Sequence, residues 1–573
     1  MDATPIEAPF VDSASLGAPE HVATSPWVVM KFGGTSVSTA DNWLTIAGLL
    51  RNRIADGLRP VLVHSALAGV SNRLEEALAK ASLGERSEAL ERIREQHYEL
   101  ATALGVDGPA LVDETLHELE QLVAGVRLIR EVSVRVRVRI MALGELMATR
   151  IGADYLGRVG LPVNWVDARD YLTSVSTSGG GQRSRDYLSA KCNAEPDADL
   201  CEAFEALGGV VLTQGFIARN AWGETVLLGR GGSDTSAAYF AARLDARRIE
   251  IWTDVPGMFT ADPRVVPSAR LLLALHYDEA QELASAGSSV LHPRCLSPLR
   301  ASTIPLFIRC TAAPEVNGTV VSSVTEETEP QVKGICLRNG LTLISMDGVG
   351  MWHEVGFLAR AFGVFNEHGV SVDLVSTSEI NVTVSIDNAD GGLPPDTKRA
   401  LLADLEKLCR VRAIDDCSSV SLVGRKIRTI LPRLAPALTV FEEERIHLMS
   451  QAASDLNMSF VVDQGQGPKL VRKLHASMIR PSGGSPVFGQ SWEMLFRGDI
   501  PVSATRDTWW MRKRDELLDL AGKRRNAYVY DRETVQQAAR SLLSLESVDR
   551  VLYAVKANFN AELLRALDEE GVD

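Results

Sequence analysis

Lys31-Phe32-Gly33-Gly34-Thr35-Ser36 puts a cation at the end of a β-branched run and two glycines directly behind it. Glycines there let the backbone bend so that successive N–H groups face one anion, with a helix start beyond. The same residues would also serve as a plain Gly-Gly turn with a surface lysine. A second loop, Gly229-Arg230-Gly231-Gly232-Ser233-Asp234-Thr235, sits between a strand-like and a helix-like stretch. Arg230 could grip a carboxylate there, and Asp234 could orient a catalytic cation. Asp234 could equally be only a helix cap. Two such loops on matching strand-to-helix turns point to phosphate and carboxylate chemistry in one site. The chain has no Walker sequence, which excludes a P-loop NTPase.

The elements that must hold these loops alternate. β-Branched runs occur at Val28–Phe32, Val61–Ser65, Val163–Val166, Gly209–Gln214 and Ile249–Thr253, with helical spacing at Ala40–Ile54, Leu74–Leu104 and Asp234–Leu244. That order predicts an α/β fold with a parallel-rich sheet sandwiched by helices. Val132–Ile140 alternates Val and Arg like a strand, whereas Met141–Arg150 is helical; we expect a helix. After a polar stretch at 322–331 come two shorter αβ units, 332–390 and 415–478, that repeat each other in pattern. Residues 1–26 read as a flexible leader, 27–322 as a first αβ domain carrying both loops, 332–480 as the paired smaller units, 481–519 as a linker and 520–573 as a further αβ segment.

At 573 residues the chain should hold roughly four domains. Its net charge of −14 argues against a nucleic-acid partner while leaving room for a local cationic pocket. No apolar run is long enough to span a membrane. Seven cysteines without C-x-x-C spacing, and ten histidines without an H-x-x-x-H pair, give no support to a disulfide framework or a metal site. With no signal peptide at Met1-Asp2-Ala3, the expected location is cytoplasmic.

Lys31–Ser36, Gly229–Thr235 and Gly144-Glu145 together resemble the aspartate kinases of the amino acid kinase family. The likeness continues through Ser65-Ala66, Ala68–Asn72 and Thr253–Arg264, and covers residues 27 to about 480. It implies transfer of the ATP γ-phosphoryl group to the β-carboxylate of L-aspartate, the first step toward lysine, threonine and methionine. Lys31 then stands at the phosphoryl-stabilising position and Asp234 at the one that organises it, with Gly33, Gly34 and Thr35 around the phosphate. Arg230 matches the holder of the substrate α-carboxylate, and Glu145, aided by Ser71, that of its α-ammonium; Ser65 and Ser233 fall on the substrate side. Thr253, Asp254, Phe259 and Arg264 fall on the nucleotide side, with ATP carrying Mg2+. Two positions depart from the family pattern. Ser289 replaces a lysine of the nucleotide site, with Arg294 nearby as a substitute charge, and Val138 replaces an acidic residue in the helix presenting Glu145. Ser289 motivates one alternative, a lysine-sensing pseudokinase; another amino acid kinase is the second.

Residues 332–480 resemble the paired ACT domains of aspartate kinases. The resemblance places a lysine effector on Asp373, with Met351, Phe357, Leu358, Ser371, Val372 and Glu379 around it, in sites that form between subunits of at least a homodimer. Ala527–Asp531 and Val551–Asn558 are similar to the start of diaminopimelate decarboxylases. Lys556 there matches the Schiff-base lysine for pyridoxal phosphate, at the end of a first TIM-barrel strand. The whole therefore resembles a fusion of kinase and decarboxylase cut short in its second half, where a barrel needs about 250 residues. Pyridoxal phosphate is expected only in a complete decarboxylase.

Overall fold

A computed structural model describes residues 7–175, 183–288, 290–324, 331–348, 355–388, 393–430, 445–451, 453–479 and 487–496. Beyond these it describes 513, 517, 529–543, 550–556, 558 and 560–572. The chain forms two compact units, Met1–Leu495 and Phe496–Asp573.

The first unit is built on an eight-stranded sheet. Its order is Ala274–His276, Thr319–Ser322, Leu306–Cys310, Arg248–Thr253, Trp27–Phe32, Arg59–His64, Val210–Gln214 and Val163–Trp165. Every pairing is parallel except Leu306–Cys310 with Thr319–Ser322. All six residues of Trp27–Phe32 are buried, as a parallel strand covered by helices on both faces requires. The expected α/β sandwich is therefore present, and the five β-branched runs all belong to it.

The stretch Leu74–Leu104 resolves into two helices, Val70–Ser82 and Ala89–Leu104. From Val134 on, the stretch Val132–Ile140 is helical, the start of Val134–Arg158. Arg135, Arg137 and Arg139 point outward to ion-pair with Glu224, Glu75 and Glu118, while Val138 is buried at 1% exposure. The period-two alternation was thus a charged helix face, with Val138 packed on the inner side.

The regulatory half is a six-stranded antiparallel sheet. Two long strands, Gln331–Asp347 and Arg410–Arg425, run through both expected units. Helices Phe357–Glu367 and Pro395–Glu406 cover one half, with Ala361, Phe365, Leu401 and Leu405 in their core. Helix Gly467–Met478 covers the other through Leu470, Val471 and Leu474. That second core also takes in Ala261, Val266 and Ala269 of the catalytic half, so the two halves share packing. Residues 431–444 of the second unit lie outside the described residues.

Two boundaries need correction. The leader is packed from Glu7 onward: Val22 is fully buried, Glu7 ion-pairs with Arg53, and Phe10 lies under Arg53, Arg248 and Arg309. An aromatic face over three guanidiniums explains why this Pro- and Ser-rich stretch holds to the sheet. The linker assigned to 481–519 also contains structure. Phe488–Ser491 forms a strand antiparallel to Arg270–Leu272, and Val487 and Phe488 are both 5% exposed.

Candidate active site

Lys31 ends the central strand, between Arg59–His64 and Arg248–Thr253. Its Nζ lies 2.5 Å from Asp234 Oδ1, and both side chains are nearly buried. Asp234 occupies the first turn of helix Gly232–Arg243, whose N-cap Gly231 has φ +63. A Cβ on Gly231 would meet His292 Cβ at 2.2 Å and its ring at 2.4 Å, so this turn demands glycine twice over. The two loops found in the sequence therefore meet through a buried ion pair.

Gly33 donates its N–H to Trp252 O at 3.2 Å and its carbonyl accepts from Ser36 N, fixing the turn after Lys31. Gly34 abuts the next loop: a Cβ there would lie 2.8 Å from Ala66 O and 3.3 Å from Ala68 N. Ser38 stitches the two loops, its Oγ accepting from Ala68 N at 2.9 Å and donating to Gly34 O at 2.6 Å. Thr35 belongs to the same turn, and its carbonyl accepts from Asn42 Nδ2. Ser65 follows the neighbouring strand, its N–H on Phe32 O at 3.2 Å.

Glu145 comes from the long helix Val134–Arg158 and is 3% exposed. Its Oε1 accepts a long bond from Ala66 N at 3.4 Å, and Oε2 has no hydrogen-bond partner among the described residues. Gly144 lets the helix approach Ala66 and Val70 so closely. Burial pushes the Glu145 carboxyl up to about 8, with the Ala66 N–H acting the other way. A buried carboxylate with no cation beside it is a receptor for one. Ser71 lies in the first turn of helix Val70–Ser82, on the loop that Glu145 contacts. Ser233 is buried against Gly215, whose hypothetical Cβ would fall 2.5 Å from Ser233 Cβ. Arg230 is exposed on the glycine loop.

Thr253, Asp254, Phe259 and Arg264 line one pocket of about 350 Å³. The sequence reading missed its other walls. Ile335, Cys336 and Leu337 come from the regulatory strand Gln331–Asp347, and Trp492 from the chain beyond the regulatory sheet. Ser289 lies outside the described residues. Arg294 does not stand in for a lost lysine: it bonds Ser189 Oγ at 2.8 Å and Ala190 O at 2.9 Å. It holds up the loop behind Gly229, where its guanidinium is 2.8 Å from that residue's would-be Cβ.

In the regulatory half, Asp373 pairs with Arg338 at 2.9 Å, and Arg338 also reaches Asp387 at 3.2 Å and the carbonyl of Ser285. Partial burial raises the Asp373 carboxyl, Arg338 opposes it and Asp387 reinforces it. Ser371 and Val372 lead into Asp373, and Glu379 is exposed on the turn before Asn381–Asp387. Phe357 is buried in the regulatory core while Leu358 beside it is exposed. Met351 lies outside the described residues.

Residues 26–310 match the model of the amino acid kinase family, and 344–393 that of the ACT domain. The lysine-sensitive aspartokinase 3 of Escherichia coli is 33% identical over 466 residues, spanning 79% of this chain and 99% of its own. The chain belongs to the aspartokinase family. A solved structure of Escherichia coli aspartokinase III with aspartate and ADP, in the R-state, superposes with a TM-score of 0.69 at 32% identity. It covers 79% of this chain and all of that one. The same enzyme with lysine and aspartate, in the T-state, gives 0.62 at 32% identity, covering 80% of this chain and all of that one. The aspartokinase likeness accounts for both the kinase half and the regulatory sheet.

The last segment departs from expectation. Val551–Ala554 forms no strand, and Lys556 sits exposed on a turn. The strand-end placement of Lys556 is thus corrected: a run of apolar residues without paired neighbours has no ladder to join. Helices Arg532–Leu543 and Ala561–Asp568 hold to each other through Arg532 and Glu569.

Proposed function

We propose that this aspartokinase moves the γ-phosphoryl group of ATP onto the β-carboxylate of L-aspartate in the Lys31–Asp234–Glu145 site. A β-carboxylate oxygen attacks the γ-phosphorus, the bond to the β,γ-bridging oxygen breaks, and ADP leaves. A carboxylate is already a nucleophile at neutral pH, so no general base is required. The work left to the protein is positioning and neutralising negative charge. Lys31 meets the phosphoryl oxygens and Asp234 keeps it aimed. The amides of Gly34 and Thr35 receive the transferred group, and Gly33, whose N–H is held by Trp252 O, shapes the turn behind it.

Glu145, with Ser71, takes the α-ammonium, Arg230 takes the α-carboxylate, and Ser65 and Ser233 complete the substrate side. Thr253, Asp254, Phe259 and Arg264 hold the nucleotide. Mg2+ would arrive on the phosphate oxygens of ATP, where it neutralises charge. Among the described residues no group of three or more His, Cys, Asp or Glu could hold it alone.

One observation carries this reading. Buried Glu145 lacks a cation on the loop next to a buried Lys31–Asp234 pair, which fits an ammonium and a phosphate bound side by side. Replacing Lys31 by Met should cut turnover by about 10²–10³-fold while leaving aspartate and ADP binding measurable by calorimetry. A variant with near-normal turnover would remove Lys31 from the chemistry.

For the regulatory half we propose lysine as effector, its ε-ammonium on Asp373. Arg338 neighbours Leu337, a wall of the nucleotide pocket, and bonds Ser285 O just before Gly287 and Ser288 of that same pocket. An ammonium that draws Asp373 away from Arg338 would therefore be felt at the nucleotide. Exposed Leu358, Val375 and Ile380 in this half suit a homodimer. For residues 520–573, a decarboxylase beginning rests on the Ala527–Asp531 and Val551–Asn558 motifs alone.

A further inference from the structure

Val487-Phe488-Gly489-Gln490-Ser491-Trp492 lies past the regulatory sheet, yet it folds back onto the catalytic half. Leu273 N bonds Val487 O at 2.7 Å, and Trp492 N bonds Ala269 O at 2.8 Å. Arg270 clasps the strand between, donating to Gly489 O at 2.8 Å and Phe488 O at 3.2 Å. Gly489 fits tightly, because a Cβ there would stand 3.0 Å from Leu273 Cδ2. This anchoring puts Trp492 against Phe259, ring centroids 5.4 Å apart at 72°. Both rings line the 350 Å³ pocket with Thr253, Asp254 and Arg264.

We propose that Trp492 is a base-binding residue, its indole forming with Phe259 the surface against which the adenine of ATP rests. The inference builds on the reading of this pocket as the nucleotide site. Thr253, Asp254 and Arg264 supply polar groups for ribose and phosphate. The purine needs a flat apolar partner, and Phe259 and Trp492 are the aromatic residues in the wall. Stacking on an indole is the usual way to hold a base when few groups read its edge. The returning strand thus gives the kinase half a specificity residue from outside its own domain.

The test compares Trp492→Phe and Trp492→Leu in the full chain. Both are smaller apolar side chains, but only Phe keeps a π-face. Leu should raise the KM for ATP about tenfold, the usual effect of one stacked base, with turnover and the KM for aspartate unchanged. Phe should stay near wild type. Competitive inhibition by adenosine should weaken with Leu by the same factor, and inhibition by inorganic tripolyphosphate should not change. A Leu variant with wild-type KM for ATP, or equal loss of adenosine and tripolyphosphate inhibition, overturns the proposal. Asp254→Asn separates the two layers. If it weakens ATP while both Trp492 variants do not, the pocket stands and Trp492 falls; if none alters ATP, the pocket reading falls too.

Discussion

Glu145 holds its proton near neutrality until a cation arrives, and that has measurable consequences. Its folded value is about 8 against an ordinary 4.5, raised by burial. Between those values the unfolded chain has released the proton and the folded one keeps it. Stability of the free protein should therefore fall as pH rises through this window, by about 1.4 kcal/mol per unit from this group. Glu145→Gln should flatten that slope in denaturant titrations from pH 5 to 8 and abolish aspartate binding. A slope unchanged by the substitution would sink the assignment. Docking of the α-ammonium should also drive the proton off, so aspartate binding at pH 7 should release close to one proton. Calorimetry in two buffers of different ionisation enthalpy reads that directly. Lys31, Asp234 and Glu145 were legible in the sequence because each sits in a short motif whose glycines announce a close backbone approach. The charge state of Glu145 was not, since burial by Ala66, Val70 and Leu74 around Gly144 depends on three segments meeting.

Among elements, the Gly33–Ser36 turn packs directly on the Ala66–Ala68 loop, and the proposed phosphoryl position would depend on that contact. Gly34→Ala would force a Cβ to 2.8 Å from Ala66 O, with no flexible side chain to give way. The expected result is a loss of about 10²-fold in turnover from a displacement near 1 Å, and about 1–3 kcal/mol of stability. An alanine variant of normal activity and melting temperature would show that the loops can part freely. Five of the eight strands of the main sheet were readable, because parallel strands buried on both faces tend to be continuous β-branched runs. The helix Val134–Arg158 was harder: its outward arginines mimic alternation until their glutamate partners on other helices are known. The strand Phe488–Ser491 could not be read. Its partner Arg270–Leu272 lies more than two hundred residues earlier, and its Gly- and Ser-containing surroundings look like a linker.

On the scale of the whole molecule, Arg338 touches both Ser285 of the catalytic half and Asp373, the contact through which the proposed regulation would run. Asp373→Asn should raise the lysine concentration for half inhibition by about tenfold or more, the cost of losing one charged partner, with uninhibited turnover little changed. Unaltered lysine sensitivity would move the effector elsewhere. In the second unit, Lys556 is exposed on a turn. We expect no stoichiometric adduct at Lys556 after pyridoxal phosphate and borohydride are added to the 573-residue chain; mass spectrometry of the peptide decides it. The two halves of the first unit are joined by a different kind of contact. Glu279, fully buried, accepts from His276 N at the start of its own helix and pairs with Lys333 at 2.9 Å and Arg425 at 2.8 Å, one from each long regulatory strand. Arg338 and Asp373, by contrast, are a quarter to a third exposed. Mobile ions screen exposed charges within about 3 Å near 1 M salt and reach buried ones far less. Ionic strength should therefore loosen the effector's grip on the kinase long before it loosens the joint between the halves, so a salt titration can silence the control while the enzyme stays in one piece.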